Sequence, residues 1–191
     1  MKNITITFLL TCAFIKMHAI SYDGILITLN GDTINCQILF SDTNPHAHKG
    51  EIMSTKKITV LIDGSKTTYS ANELKNYSIR IEEGTWKKYW GVNTRKKKYQ
   101  FMKKEVDGEL TLYSGISYNS IQLKYLRYYV FVKAETSTQL YLQYGTTSTR
   151  QKLTQFISDC PIVTGLIYSK ELDIGKPAHW KLLAEKYNDE C

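Results

Sequence analysis

The feature that most constrains this chain is a series of short runs in which apolar residues recur at every second position, separated by glycine-containing turn pairs. Ile25, Ile27 and Leu29 alternate with Leu26 and Thr28; Asn30-Gly31 follows, and a second alternating run extends from Thr33 to Phe40. A period of two is the signature of a half-buried strand, and Asn-Gly accepts the positive φ angles of a tight type I′ hairpin turn. The same grammar recurs in Ile58, Val60 and Ile62, where Asp63-Gly64 turns into Lys66 to Tyr69. Tyr77, Ile79 and Ile81 end at Glu83-Gly84. Tyr99, Phe101 and Lys103 lead to Asp107-Gly108 and return through Leu110 and Leu112. Tyr128, Val130 and Val132 precede Leu140 and Leu142. Between them, Ala71 to Lys75 reads as one helical turn capped by Ser70 or Asn72. Eight or nine such strands predict an antiparallel sheet, rolled or barrel-like, over residues 20–145.

The pattern changes near Thr146. Ser148 or Thr149 can cap a helix through Leu153, Phe156 and Ile157, and Pro161 suits the first turn of a second helix through Val163 and Ile167. Trp180, Leu183, Ala184 and Tyr187 fall at i, i+3, i+4 and i+7, the stripe of an amphipathic helix. Helices this short rarely persist alone, so residues 146–191 are expected to pack on the sheet as part of the same domain. The fold class is therefore α+β with segregated parts, an antiparallel β-rich body followed by a short helical C-terminal segment.

The start of the chain predicts export. Lys2 precedes an uncharged stretch from Ile4 to Ile15, too short to span a bilayer, and Ala19 offers a small residue for cleavage, so residues 1–19 read as a secretory signal peptide. Cys12 belongs to that discarded segment; Leu9-Leu10-Thr11 before it matches a lipid-attachment box only loosely. The expected destination is the periplasm, the cell surface or the medium. Cleavage leaves 23 basic against 18 acidic residues, a net charge of +5. Eight of the basic residues and no acidic one lie between Trp86 and Lys104, so everything outside that stripe carries −3. A local stripe points to a local partner rather than to general adhesion.

Of the three remaining cysteines, Cys36 shares one strand face with Ile34, Ile38 and Phe40, where a thiol acts as an apolar filler. Cys160 and Cys191 lie in the helical segment, one at a helix boundary and one at the last residue. In an oxidising compartment these two are expected to form the disulfide, worth about 3–4 kcal/mol in the chain-entropy picture. No C-x-x-C pair accompanies them, which argues against thiol catalysis.

GILITLNGDTINCQI, the hairpin Asp107 to Tyr113, Asp159-Cys160-Pro161 and the ending Tyr187-Asn188-Asp189-Glu190-Cys191 resemble a broad group of small exported proteins of Bacteroidota. That group has a signal peptide, a G-D-T-I turn, a D-G-E-L-x-L-Y-like hairpin, a D-C-P and a Y-N-x-x-C-like ending. Cys36 departs from the small or polar residue the pattern holds there. The resemblance implies export and the disulfide. It implies no mechanism.

Catalytic signatures are sparse. Gly115-Ile116-Ser117 approaches a nucleophile elbow and fails at Asn119; no zinc-protease, phosphate-loop or dinucleotide motif occurs, and no cofactor is implied. His46 and His48, with Asp42 or Glu51, could contact a metal from an extended loop, but two histidines fall short of a structural site. His179 reads as a helix-surface residue. Tyr125, Tyr128, Tyr129, Tyr141 and Tyr144 form a cluster whose simplest role is cross-strand packing.

The best lead is WKKYWGVNTRKKKYQFMKK. Trp86, Tyr89, Trp90 and Tyr99 lie among Lys87, Lys88, Arg95, Lys96, Lys97 and Lys98, and aromatic faces beside cations suit an anionic glycan or a membrane headgroup layer. Nucleic acid satisfies the same physics but is rarely met by an exported protein. The plainer expectation makes Gly91 to Lys98 a solvated hairpin tip. The chain is therefore expected to be a non-catalytic envelope protein. The alternatives are a periplasmic enzyme acting on a cell-wall or glycan substrate, and an assembly component that meets another envelope protein through a sheet edge.

Overall fold

A computed structural model describes residues 20–40, 54–95, 98–119, 121, 124–143 and 149–191. Residues 1–19, where a signal peptide is expected, and His46, His48, Lys96, Lys97 and Tyr144 lie outside them. Among the described residues, ten strands form one antiparallel sheet: β1 (Ile20–Thr28), β2 (Thr33–Phe40), β3 (Lys57–Ile62), β4 (Ser65–Ser70), β5 (Leu74–Glu82), β6 (Thr85–Arg95), β7 (Lys98–Val106), β8 (Leu110–Asn119), β9 (Lys124–Lys133) and β10 (Gln139–Gln143). Three helices follow, α1 (Thr149–Phe156), α2 (Pro161–Tyr168) and α3 (Pro177–Glu190). The strand order is β10-β9-β8-β7-β6-β5-β1-β2-β3-β4, so the sheet is open, with β10 and β4 at its edges.

The α+β reading holds, with three differences in the body; one is that Ala71 to Lys75 is not a helical turn, because Ala71 to Glu73 form a tight turn and Leu74 and Lys75 already belong to β5. Thr85 to Arg95 is an eleven-residue strand, and Gly91 to Thr94 are not a hairpin tip: Val92 and Thr94 are buried. Consecutive cations hid this strand, because their alternation is visible only in the aromatic residues between them. The Asn30-Gly31 connection also differs. Only Gly31 takes a positive φ (95°), within a loop closed by Thr28 N–H to the Asp32 carbonyl at 3.0 Å. Thr28 Oγ1 accepts from the Asp32 amide at 3.1 Å, and this side-chain bond holds the wider turn. Asp63-Gly64, with φ values of 48° and 81°, is the two-residue turn with positive φ at both positions.

The sheet rolls around a core of Leu26, Ile38, Val60, Leu74, Tyr77, Ile79, Tyr89 and Phe101. The roll is held where β7 and β8 part. The Phe101 amide donates to the Thr55 carbonyl at 2.8 Å, and the Ser54 amide to the Ile116 carbonyl at 2.9 Å, so the segment entering β3 hydrogen-bonds to both β7 and β8. Gly91 permits the closure, since a Cβ there would strike the backbone carbonyls of Ala71 and Leu74.

The helices cover the same sheet face farther along. Leu112, Phe131, Leu153, Ile157, Val163, Ile167, Trp180 and Leu183 form this second core. All four stripe residues of α3 (Trp180, Leu183, Ala184 and Tyr187) are buried, as the spacing predicts. The opposite face carries a smaller cluster of Val92, Met102, Tyr128 and Val130. The tyrosine cluster is thereby divided: Tyr129 meets Trp180 edge-on at 4.7 Å, whereas Tyr128 faces Tyr141 at 5.3 Å across the other side.

Candidate functional sites

The alternation of β6 divides the basic-aromatic segment between two faces of the sheet. Tyr89 points into the roll and stacks on Tyr77 at 5.1 Å; it is 5% exposed and belongs to the core. Lys87, half-buried, lies on that side of the strand. Trp86, Lys88 and Trp90 share the outer face, with the two indoles four residues apart, about 13 Å along a strand. Trp86 is 45% exposed. Trp90 is half-buried against the Val92–Met102 cluster, with the Lys88 and Lys104 ammonium groups 5.1 and 4.7 Å from its ring centroid. Both cations are held by the ring quadrupole, which keeps them near the strand surface.

The C-terminal part of the stripe is arranged differently. Lys103 pairs with Glu105 and Lys104 with Asp107, each at 2.8 Å. Burial pushes the Glu105 carboxyl up, but hydrogen bonds from Lys103 and Ser114 and the charges of Lys103 and Arg127 outweigh it, and the carboxyl lies below its ordinary value. Lys98 and Tyr99 are exposed at the start of β7, with Tyr99 opposite Asn93, far along the strand from Trp86. Arg95 ends β6. The segment thus contributes an outer row on β6 and a separate group at the β6–β7 tip.

A second candidate is a cleft of about 280 Å³ lined by Glu109, Lys133, Glu135, Thr136, Thr138, Asp159, Tyr187 and Cys191. Lys133 Nζ donates to both Asp159 oxygens at 2.6 and 2.7 Å, and the Tyr187 hydroxyl donates to Asp159 Oδ2 at 2.7 Å. The Lys133 side chain is only 15% exposed and lies 5.3 and 5.6 Å from the Phe156 and Tyr187 ring centroids. Desolvation opposes ionisation of Asp159, yet the bonds from Lys133 and Tyr187 prevail and hold its carboxyl below the usual range. Burial, then Asp159, pushes the Tyr187 phenol up to about 12. These three groups satisfy one another: the carboxylate is ionised, the phenol neutral and the amine committed to the pair.

Cys160 and Cys191 form the disulfide beside this cleft, with Cα atoms 5.8 Å apart, while Cys36 is free and half-buried. Burial raises the Cys36 thiol to about 11, well away from a reactive thiolate. Sequence reasoning missed the triad, although two members were within reach. Asp159 adjoins Cys160 and Tyr187 lies one turn before Cys191, so the disulfide already brings them together. Lys133 depends on the β9 register, which no local pattern supplies.

The motifs at Asp107–Tyr113, Asp159–Pro161 and Tyr187–Cys191 all meet here. Asn188 Oδ1 accepts from the Leu110 amide at 2.7 Å, and its Nδ2 donates to the Leu110 carbonyl at 3.2 Å. A Cβ at Gly108 would collide with that amide, so the turn needs glycine for packing as well as for its φ of 147°. His179 Nδ1 accepts from the Asp173 amide at 2.9 Å, a capping contact near the start of α3. Among the described residues, no group of three or more His, Cys, Asp or Glu is arranged to hold a metal ion, and no helix is long and apolar enough to cross a membrane. No family model, curated protein or solved structure matches the chain.

Proposed function

We propose that this is an exported, non-catalytic protein of the cell envelope that binds the anionic groups of a glycan or headgroup layer through the outer row of β6. The observation that supports this reading is the placement of Trp86, Lys88 and Trp90 on one strand face, with Lys104 beside them. An exposed indole next to a fixed ammonium group offers stacking and charge to the same ligand. The row is part of a paired strand rather than a free loop, so its spacing is set before a ligand arrives. The Lys133–Asp159–Tyr187 cleft serves a different end on this reading: it fastens the helices to the sheet.

The test is binding of the purified protein to a polyuronate and to vesicles of neutral or anionic lipid across a salt series. Binding should weaken with salt. Trp86→Ala with Lys88→Glu should reduce it at least tenfold, and a polyuronate-only or vesicle-only response would identify the source of the anions. A second variant with Arg95, Lys96, Lys97 and Lys98 changed to Glu separates the tip from the strand row. Equal binding by the wild type and the Trp86/Lys88 variant would overturn the assignment.

A further inference from the structure

The open edge of the sheet at β4 is short and chemically well defined. The two-residue turn at Asp63-Gly64 makes Ile62 and Ser65 a hydrogen-bonded pair, and pairing alternates from there along β3 and β4. The backbone groups of Ser65, Thr67 and Tyr69 therefore face β3, whereas those of Lys66, Thr68 and Ser70 face outward. Ser70 is already satisfied: its amide donates to Glu73 Oε2 at 2.6 Å and its carbonyl accepts from the Glu73 amide at 3.0 Å. Among the described residues, this leaves the N–H and C=O groups of Lys66 and Thr68 as the unpaired backbone of the edge, on residues that are exposed. The edge has no proline or bulge, and Lys66 is its one charge.

We infer that this edge pairs with β4 of a second copy of the chain, antiparallel across a two-fold axis at Thr67. Three registers need to be considered. Placing Lys66 opposite its own copy sets two ammonium groups face to face, which destabilises a cross-strand pair. Placing Thr68 opposite Thr68 puts Lys66 opposite Ser70, whose backbone groups are occupied by Glu73. The register that sets Lys66 opposite Thr68 uses all the unpaired groups on both strands, separates the two lysines and places Thr67 opposite Thr67 in a non-hydrogen-bonded position. Tyr69 then lies opposite Ser65 of the other copy, a large ring against a small side chain. Both sheets continue across the axis as one, and the interface is isologous, so it closes at two copies and leaves no β4 edge open.

The inference is tested in a Cys36→Ser background by sedimentation over a concentration series and by oxidative cross-linking. The protein should reach twice its monomer mass as concentration rises. Thr67→Cys should form a disulfide-linked dimer under mild oxidant, because non-hydrogen-bonded partners bring Cα atoms to about 4.5 Å. Ser65→Cys, placed opposite Tyr69, should not. Thr68→Pro removes an outward amide that β3 does not use and should return the protein to monomer mass. A monomer at every concentration without a Thr67→Cys cross-link would overturn the inference, as would a dimer that Thr68→Pro leaves intact while Thr67→Cys fails to cross-link. The cross-link is read by mass, so it remains decisive if Thr68→Pro does not fold.

Discussion

The two cores on one face of the sheet are built in different ways. The roll encloses its apolar residues by strand pairing, and its cysteine, Cys36, is free. The helical half assembles its core from three short helices laid on β7 to β10, and it is fastened by discrete long-range ties. These are Cys160–Cys191, Asp159 to Lys133 and Tyr187, and Asn188 to Leu110. The difference follows from local stability. A hairpin brings its own partner strand, whereas helices of 8, 8 and 14 residues are marginal without tertiary contacts. Where local structure is weak, the chain supplies cross-links.

The largest effect expected is from Trp180→Ala. Trp180 is 1% exposed, packs on Tyr129 and donates from Nε1 to the Ile174 carbonyl at 2.7 Å. Its truncation should cost about 3–5 kcal/mol in urea unfolding. Hydrogen exchange should show the loss concentrated in α1 to α3, with β1 to β5 still protected; uniform loss would mean that the two cores unfold as one. Cys191→Ser comes next. The disulfide closes a separation of 31 residues, and losing it should cost about 3–4 kcal/mol, read as a lower denaturation midpoint that matches the reduced wild type.

Two smaller effects sharpen the contrast. Asp159→Asn should cost only about 1 kcal/mol, because the carboxylate side chain is 53% exposed and solvent screens the pair. Its signature is in the pH dependence. The Asp159 carboxyl is lowered in the fold, so its contribution is complete above about pH 5 and declines as pH falls through the folded-state value. The Tyr187 phenol is raised to about 12, so its contribution is present below the ordinary value near 10 and declines as pH rises toward 12. Urea midpoints of the variant should be flatter than the wild type at both ends. In the roll, the Tyr77 hydroxyl is fully buried without a hydrogen-bond partner among the described residues, and burial raises its phenol well above the ordinary value. Tyr77→Phe should therefore stabilise the protein by roughly 1 kcal/mol, since it removes an unsatisfied polar group and keeps the ring.

Much of this fold was legible in the residues, but unevenly. The α3 stripe and the strands around Ile58–Ile62 and Leu110–Leu112 are visible because periodicity depends on nearest neighbours. The strand β6 was obscured where Lys and Arg follow one another, and the turn at Asn30-Gly31 widened because Thr28 and Asp32 bond to each other across it. The candidate binding segment was legible as a composition but not as a surface. Alternation along β6 sends Tyr89 inward and Trp86 outward, and only the burial of the finished sheet distinguishes them.

The sequence by itself determined the α+β class, with strands first and helices last, and the pairing of Cys160 with Cys191. Each depends on local period, turn chemistry or the small number of cysteines that can pair. The tertiary structure decided which strands are neighbours, that Ser54 and Thr55 join β7 and β8 to hold the roll, and that Lys133 meets Asp159 and Tyr187. These contacts link residues far apart in the chain. They depend on sheet register and on closure around a core, and no local pattern encodes the energy of either.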